Sequence, residues 1–107
     1  MKIPESIRIA GVEYSVVLVP NLNTGVNMAY GHIDFENSVI SLSDTIGTEH
    51  QKRCVILWHE ILHGIVENNG MKIENEEAIV DIFAKGIYQV LQDNGARLFD
   101  IKKRWKT

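Results

Sequence analysis

The stretch from Thr48 to Asn68 constrains this 107-residue chain most, because it holds no Pro, meets its first Gly only at Gly64, and repeats apolar residues at helical spacing. Val55, Trp58, Ile61, Leu62, Ile65 and Val66 fall on that period, which predicts a helix over 48–68 lying against a core. Thr48 with Gln51 three residues on reads as an N-cap and capping box, and Asn69-Gly70 as the stop. Gly64 inside the helix costs about 1 kcal/mol relative to Ala unless close backbone packing makes use of it.

Embedded in this run is His59-Glu60-Ile61-Leu62-His63. Residues four apart share a helix face, so both imidazoles can reach one ion, while Glu60 projects about 100° round the helix and can address a water on that ion. Apolar residues flank the motif on both sides, so the helix should be largely buried. Left without partners there, each of these polar groups would cost roughly 1–3 kcal/mol. A divalent metal supplies such a partner, and a hydrogen-bonded core network is the alternative.

Geometry narrows the third ligand. Glu67 continues the line of His59 and His63, but it lies eight residues beyond His59, a rise of about 12 Å, against metal bonds of about 2 Å. The metzincin continuation needs Gly at 66 and His at 69, where this chain has Val66 and Asn69. A second helix is expected from Asn75 as N-cap to about Asp93, with Ile79, Ile82, Phe83, Ile87, Val90 and Leu91 on one face and Asn94-Gly95 as its end. It offers Glu74, Glu76, Glu77 and Asp81. Glu77 and Asp81 are spaced i,i+4, so one can bind metal while the other receives the N–H of a ligating imidazole. Glu74 and Glu76 read as ordinary carboxylates suited to the start of a helix.

Before the helices the pattern is extended. Ile7-Arg8-Ile9 and Glu13 to Val19 read as two strands joined at Ala10-Gly11 and closed by Pro20, residues 21–27 as a loop, and Ala29 to Asp34 and Ser38 to Leu42 as two more strands turning at Glu36-Asn37. The expected architecture is α+β, a small and mostly antiparallel sheet packed against two helices, in a single domain over 1–107.

Hydrophobic residues at 45% and charged residues at 23% are ordinary for a globular chain. A net charge of -3 gives no broad attraction to nucleic acid or an anionic membrane, and neither is expected as a partner. The basic tail over 102–106 reads as a solvated end. The N-terminal MKIPESIRIAG lacks the apolar run of a signal peptide, so the cytoplasm is the expected location. The lone Cys54 sits in an apolar run and reads as a buried thiol.

His59-Glu60-Ile61-Leu62-His63 followed by Asn75-Glu76-Glu77-Ala78-Ile79-Val80-Asp81 resembles the gluzincin signature. The small size, the two preceding hairpins and Asp81-Ile82-Phe83-Ala84 resemble minimal gluzincins and the ImmA/IrrE-like metallopeptidases of phages and mobile elements. The resemblance implies a zincin-like fold, zinc held by His59, His63 and Glu77, and Asp81 supporting a ligand histidine. It also implies Glu60 as general base in peptide hydrolysis, with zinc polarising a water and the peptide carbonyl. A peptide or protein substrate could add to a sheet edge beside the active helix. Large gluzincins take an oxyanion-stabilising His or Tyr from a further domain, for which Tyr30, His32 and Tyr88 are the candidates in this chain. The alternative functions are a non-catalytic zinc-stabilised interaction module and a phage or mobile-element protein that contacts a repressor.

Overall fold

The computed structural model describes residues 3–20, 30–43 and 50–99. The Thr48 cap, the loop over 21–27 and the basic tail over 102–106 fall outside the described residues. Four strands, β1 (Ser6–Ile9), β2 (Val12–Val19), β3 (Gly31–Asp34) and β4 (Val39–Ser43), precede two helices, α1 (His50–Asn68) and α2 (Glu76–Asn94), and a 3₁₀ turn at Gly95–Phe99. The α+β class is as expected.

Both hairpins have a local cause. Ala10 and Gly11 take positive φ, 52° and 84°, the pair of left-handed residues that a two-residue hairpin matched to strand twist requires. At the second turn, the Asp34 carboxylate accepts hydrogen bonds from the backbone N–H of Glu36 and Asn37 at 3.0 and 3.1 Å, and from Asn37 Nδ2 at 2.8 Å. A short side chain thereby does the work of a backbone turn.

The sheet differs from the expected one. Its order is β1-β2-β4-β3, with antiparallel outer pairs and a parallel central pair, β2 with β4, so it is mixed and not mostly antiparallel. After β2 the chain passes to the far edge, lays down β3 there, and returns by a hairpin into the gap beside β2. That return makes β4 run the same way as β2, which needs a longer crossover than a hairpin pattern can reveal.

One sheet face is apolar and covered. Ile9, Tyr14, Ile33, Ile40 and Leu42 meet Leu57 and Ile61 of α1 in a single buried cluster. Cys54 is also fully buried, and burial pushes its thiol pKa up. Gly64 explains itself here, since a Cβ at that position would stand 3.1 Å from Ile9 Cδ1 and 3.2 Å from Ile33 Cδ1. α1 ends as expected at Asn69-Gly70, where Gly70 N–H donates to Glu67 O and Met71 N–H to Val66 O around a left-handed Gly70, the bond pair of a Schellman motif.

α2 packs on α1, and the sheet's principal helical contacts are with α1, so α1 is the middle layer. The buried residues of α2 are Val80, Ala84 and Tyr88, whereas Ile82, Phe83 and Val90 are exposed. The larger apolar face read from the sequence is therefore the outer one. Asn75 holds the N-cap position but in the left-handed region, φ 59°, without a side-chain cap bond. Asn tolerates that conformation, and there it redirects the chain into α2.

The crowding at Gly64 has a measurable consequence. Gly64→Val should destabilise the protein by about 1–3 kcal/mol through overpacking against Ile9 and Ile33. Gly64→Ala should stay near the parent, because a helix-propensity gain of about 1 kcal/mol offsets the tighter contact. Thermal melts of the two variants check this order.

Candidate metal centre

On α1 the sheet-facing stripe Cys54, Leu57, Ile61 and Gly64 fixes the rotation of the helix, and His59 and His63 consequently point away from the sheet. They point toward the start of α2. Both imidazoles are only about one-sixth exposed.

The structure brings the two imidazoles and Glu77 together. His59 Nε2 lies 3.1 Å from His63 Nε2, 2.7 Å from Glu77 Oε1, and His63 Nε2 lies 3.0 Å from Glu77 Oε2. Ligand atoms around a tetrahedral zinc with bonds of about 2.0–2.1 Å stand about 3.3 Å apart, so the triangle is of the size a metal requires. His59, His63 and Glu77 could hold a metal ion.

The ring nitrogens facing away from this triangle carry a second argument. His63 Nδ1 is 2.6 Å from Glu76 Oε2, and a carboxylate at that distance holds the proton on Nδ1. The Nε2 lone pair is then turned toward Glu77 and His59. That lone pair and the Glu77 carboxylate meet at His59 Nε2, where either a proton carried by His59 or a cation keeps them from repelling one another.

Glu76 was the residue that sequence reasoning passed over as ordinary helix charge. Adjacent carboxylates at a helix start diverge by about 100°. That divergence was the available signal, for Glu77 can reach the ligand side of the histidine pair while Glu76 reaches the back of His63. Asp81 lies on the His59 side, its Oδ1 3.9 Å from Nδ1, beyond hydrogen-bond range, and its Oδ2 takes a 2.9 Å bond from Lys85 Nζ. A bridging water would span that gap. Glu74 is exposed on the turn before α2.

Glu60 stands apart from the triangle. It is the one buried acidic residue among those described, 7% exposed, and burial raises its pKa, while His59 and His63 pull it down and Glu77 pushes it up. The carboxylate fits because the facing residue of β3 is Gly31. A Cβ there would lie 2.9 Å from Glu60 Oε2 and 2.6 Å from Ile56 Cγ2. Neighbouring His32, exposed on β3, is within electrostatic reach of Glu60. Tyr30 is exposed at the entry to β3, and Tyr88 is buried on α2.

The Glu77 side chain is 77% exposed, so the triangle is open to solvent on the side away from α1. Open sites of two imidazoles and one carboxylate leave room for a water or substrate atom on the ion. No family model matches the chain, and no curated protein or solved structure matches it either. Among the described residues no helix is long and apolar enough to cross a membrane.

Two outcomes follow from this geometry. Glu76→Ala should weaken zinc binding by roughly 10–100-fold by freeing the back of His63, and Asp81→Ala less, while Glu77→Ala abolishes tight binding and Glu74→Ala leaves it unchanged. Competition titration with a chromophoric chelator ranks the four. The second outcome concerns the metal-free protein. The folded pKa of Glu60 lies above its ordinary value of 4.5, so between those two values the folded state holds more protons than the unfolded. Stability from this group should fall as pH rises through that window and stay low above it. Glu60→Gln should match the parent below the window and exceed it above, in thermal melts run with chelator.

Proposed function

We propose that this chain is a small zinc-dependent metallopeptidase of the gluzincin type, similar to the ImmA/IrrE-like enzymes of phages and mobile elements. The observation that carries the reading is the separation of roles within one helix motif: His59 and His63 converge with Glu77, while Glu60, one residue from His59, is buried beside them and outside the ligand set. The fold proposed is zincin-like, with a mixed sheet, the motif helix α1 and the ligand helix α2.

Zinc, when held by His59, His63 and Glu77, supplies a Lewis acid that acidifies a water and polarises a peptide carbonyl. The chain's own residues do the rest. A Glu60 carboxylate oxygen accepts the proton of the attacking water and returns it to the nitrogen of the leaving amine. Burial suits this task, because a carboxylate with raised proton affinity holds the proton between the two transfers. Glu76 holds the His63 imidazole in orientation, and Asp81 stands on the Nδ1 side of His59, 3.9 Å away. Of the three candidates for supporting charge on the carbonyl oxygen, His32 is favoured by its exposure on β3 near Glu60, whereas Tyr88 is buried on α2.

Strand β3 forms one edge of the sheet and packs on α1 next to Glu60 through Gly31. An extended peptide pairing with that edge would run past the general base, and main-chain hydrogen bonds would recognise it with little dependence on sequence. A rival reading, a zinc-stabilised module without activity, has one observation in its favour: α2 rests on α1 through a few buried side chains and would gain from a metal staple. Such a module has no use for a buried carboxylate beside the ligands, and Glu60 tips the balance toward hydrolysis.

Purified protein should carry about one zinc per chain by elemental analysis. Glu60→Gln should keep that zinc and the fold, and should lose roughly 10²-fold or more in cleavage of a peptide library. A parent that binds zinc and cleaves nothing selects the module, and a Glu60→Gln variant as active as the parent refutes the proton-transfer role.

A further inference from the structure

α2 has two apolar stripes. The inner one, Val80, Ala84 and Tyr88, is buried, while the outer one leaves Ile82 at 68%, Phe83 at 58% and Val90 at 50% exposed. The outer stripe lines a shallow groove formed by Ile82, Phe83, Gly86, Ile87, Val90 and Leu91. No described residue covers it.

Gly86 is the second observation. It sits in the middle of a 19-residue helix with no positive φ, and a Cβ there would meet nothing within 4 Å. Neither backbone conformation nor packing among the described residues calls for glycine, although it costs about 1 kcal/mol in a helix interior. Gly64 in α1 is accounted for by Ile9 and Ile33, whereas no described residue accounts for Gly86, and close approach of another backbone would.

We propose that two copies of this chain pair through the outer face of α2, antiparallel, about a twofold axis at Gly86. The patch complements itself. Pairing about residue 86 sets Ile82 of one copy against Val90 of the other, and lays Phe83 of each into the groove beside the other's Gly86 and Ile87, so every contact occurs twice as an isologous interface demands. The charges agree with the antiparallel sense. Glu74 lies on the turn before α2 and Arg97, which donates to Asn94, on the 3₁₀ turn after it, so the antiparallel sense brings each Glu74 to the end of the pair that holds the partner's Arg97. Asp93, seven residues beyond Gly86 on the same face and held by Gln89, ends the apolar stripe. With Ile82, Phe83 and Val90 each half exposed or more, the pair would bury an area near the lower bound for a specific interface, on the order of 1,000 Å² in all. Glu77 and the histidine pair lie about a third of a turn away from this stripe and stay open to solvent. The pairing does not depend on the site's chemistry.

Sedimentation equilibrium of the whole protein from about 1 to 200 μM tests this, with circular dichroism as the control for folding. The parent should shift from one chain mass to two across that range. Phe83→Glu, at an exposed position, should remain folded and monomeric throughout. Arg97→Glu should weaken pairing several-fold, and adding Glu74→Lys should restore it. Gly86→Cys should form a disulfide-linked dimer on mild oxidation, with the parent, whose one cysteine is buried, as control. A parent that is monomeric at 200 μM overturns the proposal, as would happen if residues 100–107 of the same chain cover the face. A dimer that survives Phe83→Glu overturns the surface, and an Arg97→Glu variant that pairs as tightly as the parent overturns the antiparallel register.

Discussion

Three side chains converging across the α1–α2 boundary set the geometry of the second half of this protein. Glu77 can reach His59 and His63 only if α2 turns the stripe that contains Glu77, Ala84 and Tyr88 inward. That rotation leaves Ile82 and Phe83 outside. Burying each of those side chains would contribute about 1.5–3 kcal/mol, a gain the helix forgoes. A metal held at such a triad would offset that loss, since structural metal sites contribute folding energy of about 10–16 kcal/mol. The phase of α2 thus turns Glu77 toward α1 and leaves the larger hydrophobic surface outside.

The first half follows a different rule, where hydrophobic burial decides and the polar group adapts. Ile40 and Leu42 on the central strand are fully buried beneath Leu57 and Ile61. Two glycines allow α1 to lie close to the sheet. Gly64 accommodates Ile9 and Ile33, and Gly31 leaves room for the Glu60 carboxylate. Gly31 thus lets the Glu60 carboxylate be buried where α1 meets β3, and that burial is the largest cause of its raised pKa.

Much of this was legible in the chain, and the exceptions have physical reasons. Helical spacing and the stops at Asn69-Gly70 and Asn94-Gly95 gave both helices to within two residues, and the positions of the two turns gave the hairpins. The parallel pairing of β2 with β4 was not legible, because each hairpin is specified locally whereas the order of hairpins in a sheet depends on the intervening crossover. Glu76 was missed because it doubles as a favourable first-turn charge, and nothing local distinguishes a carboxylate serving a helix dipole from one bonded to His63. Asn75 was legible as a boundary but not in conformation, since the same residue caps helices from the extended region and breaks chains in the left-handed one. For α2 the stripe with the greatest hydrophobicity was the wrong guide to burial, because the smaller stripe Val80, Ala84 and Tyr88 is the one that faces α1 along with Glu77.

The layer order has a bearing on what an affinity measurement would mean. His59 and His63 belong to a helix clamped against the sheet, whereas the carboxylate that completes the triangle belongs to a helix that touches little besides α1. Two of the three donors sit on the helix packed against the sheet, and the third would be within reach only in molecules with α2 docked on α1. The affinity observed for an ion is then the intrinsic affinity multiplied by the fraction of molecules in the docked form. A substitution under Val80 or Ala84, out of reach of the ion, would act on that fraction alone, so small packing residues on α2 tune metal retention as directly as a donor atom does.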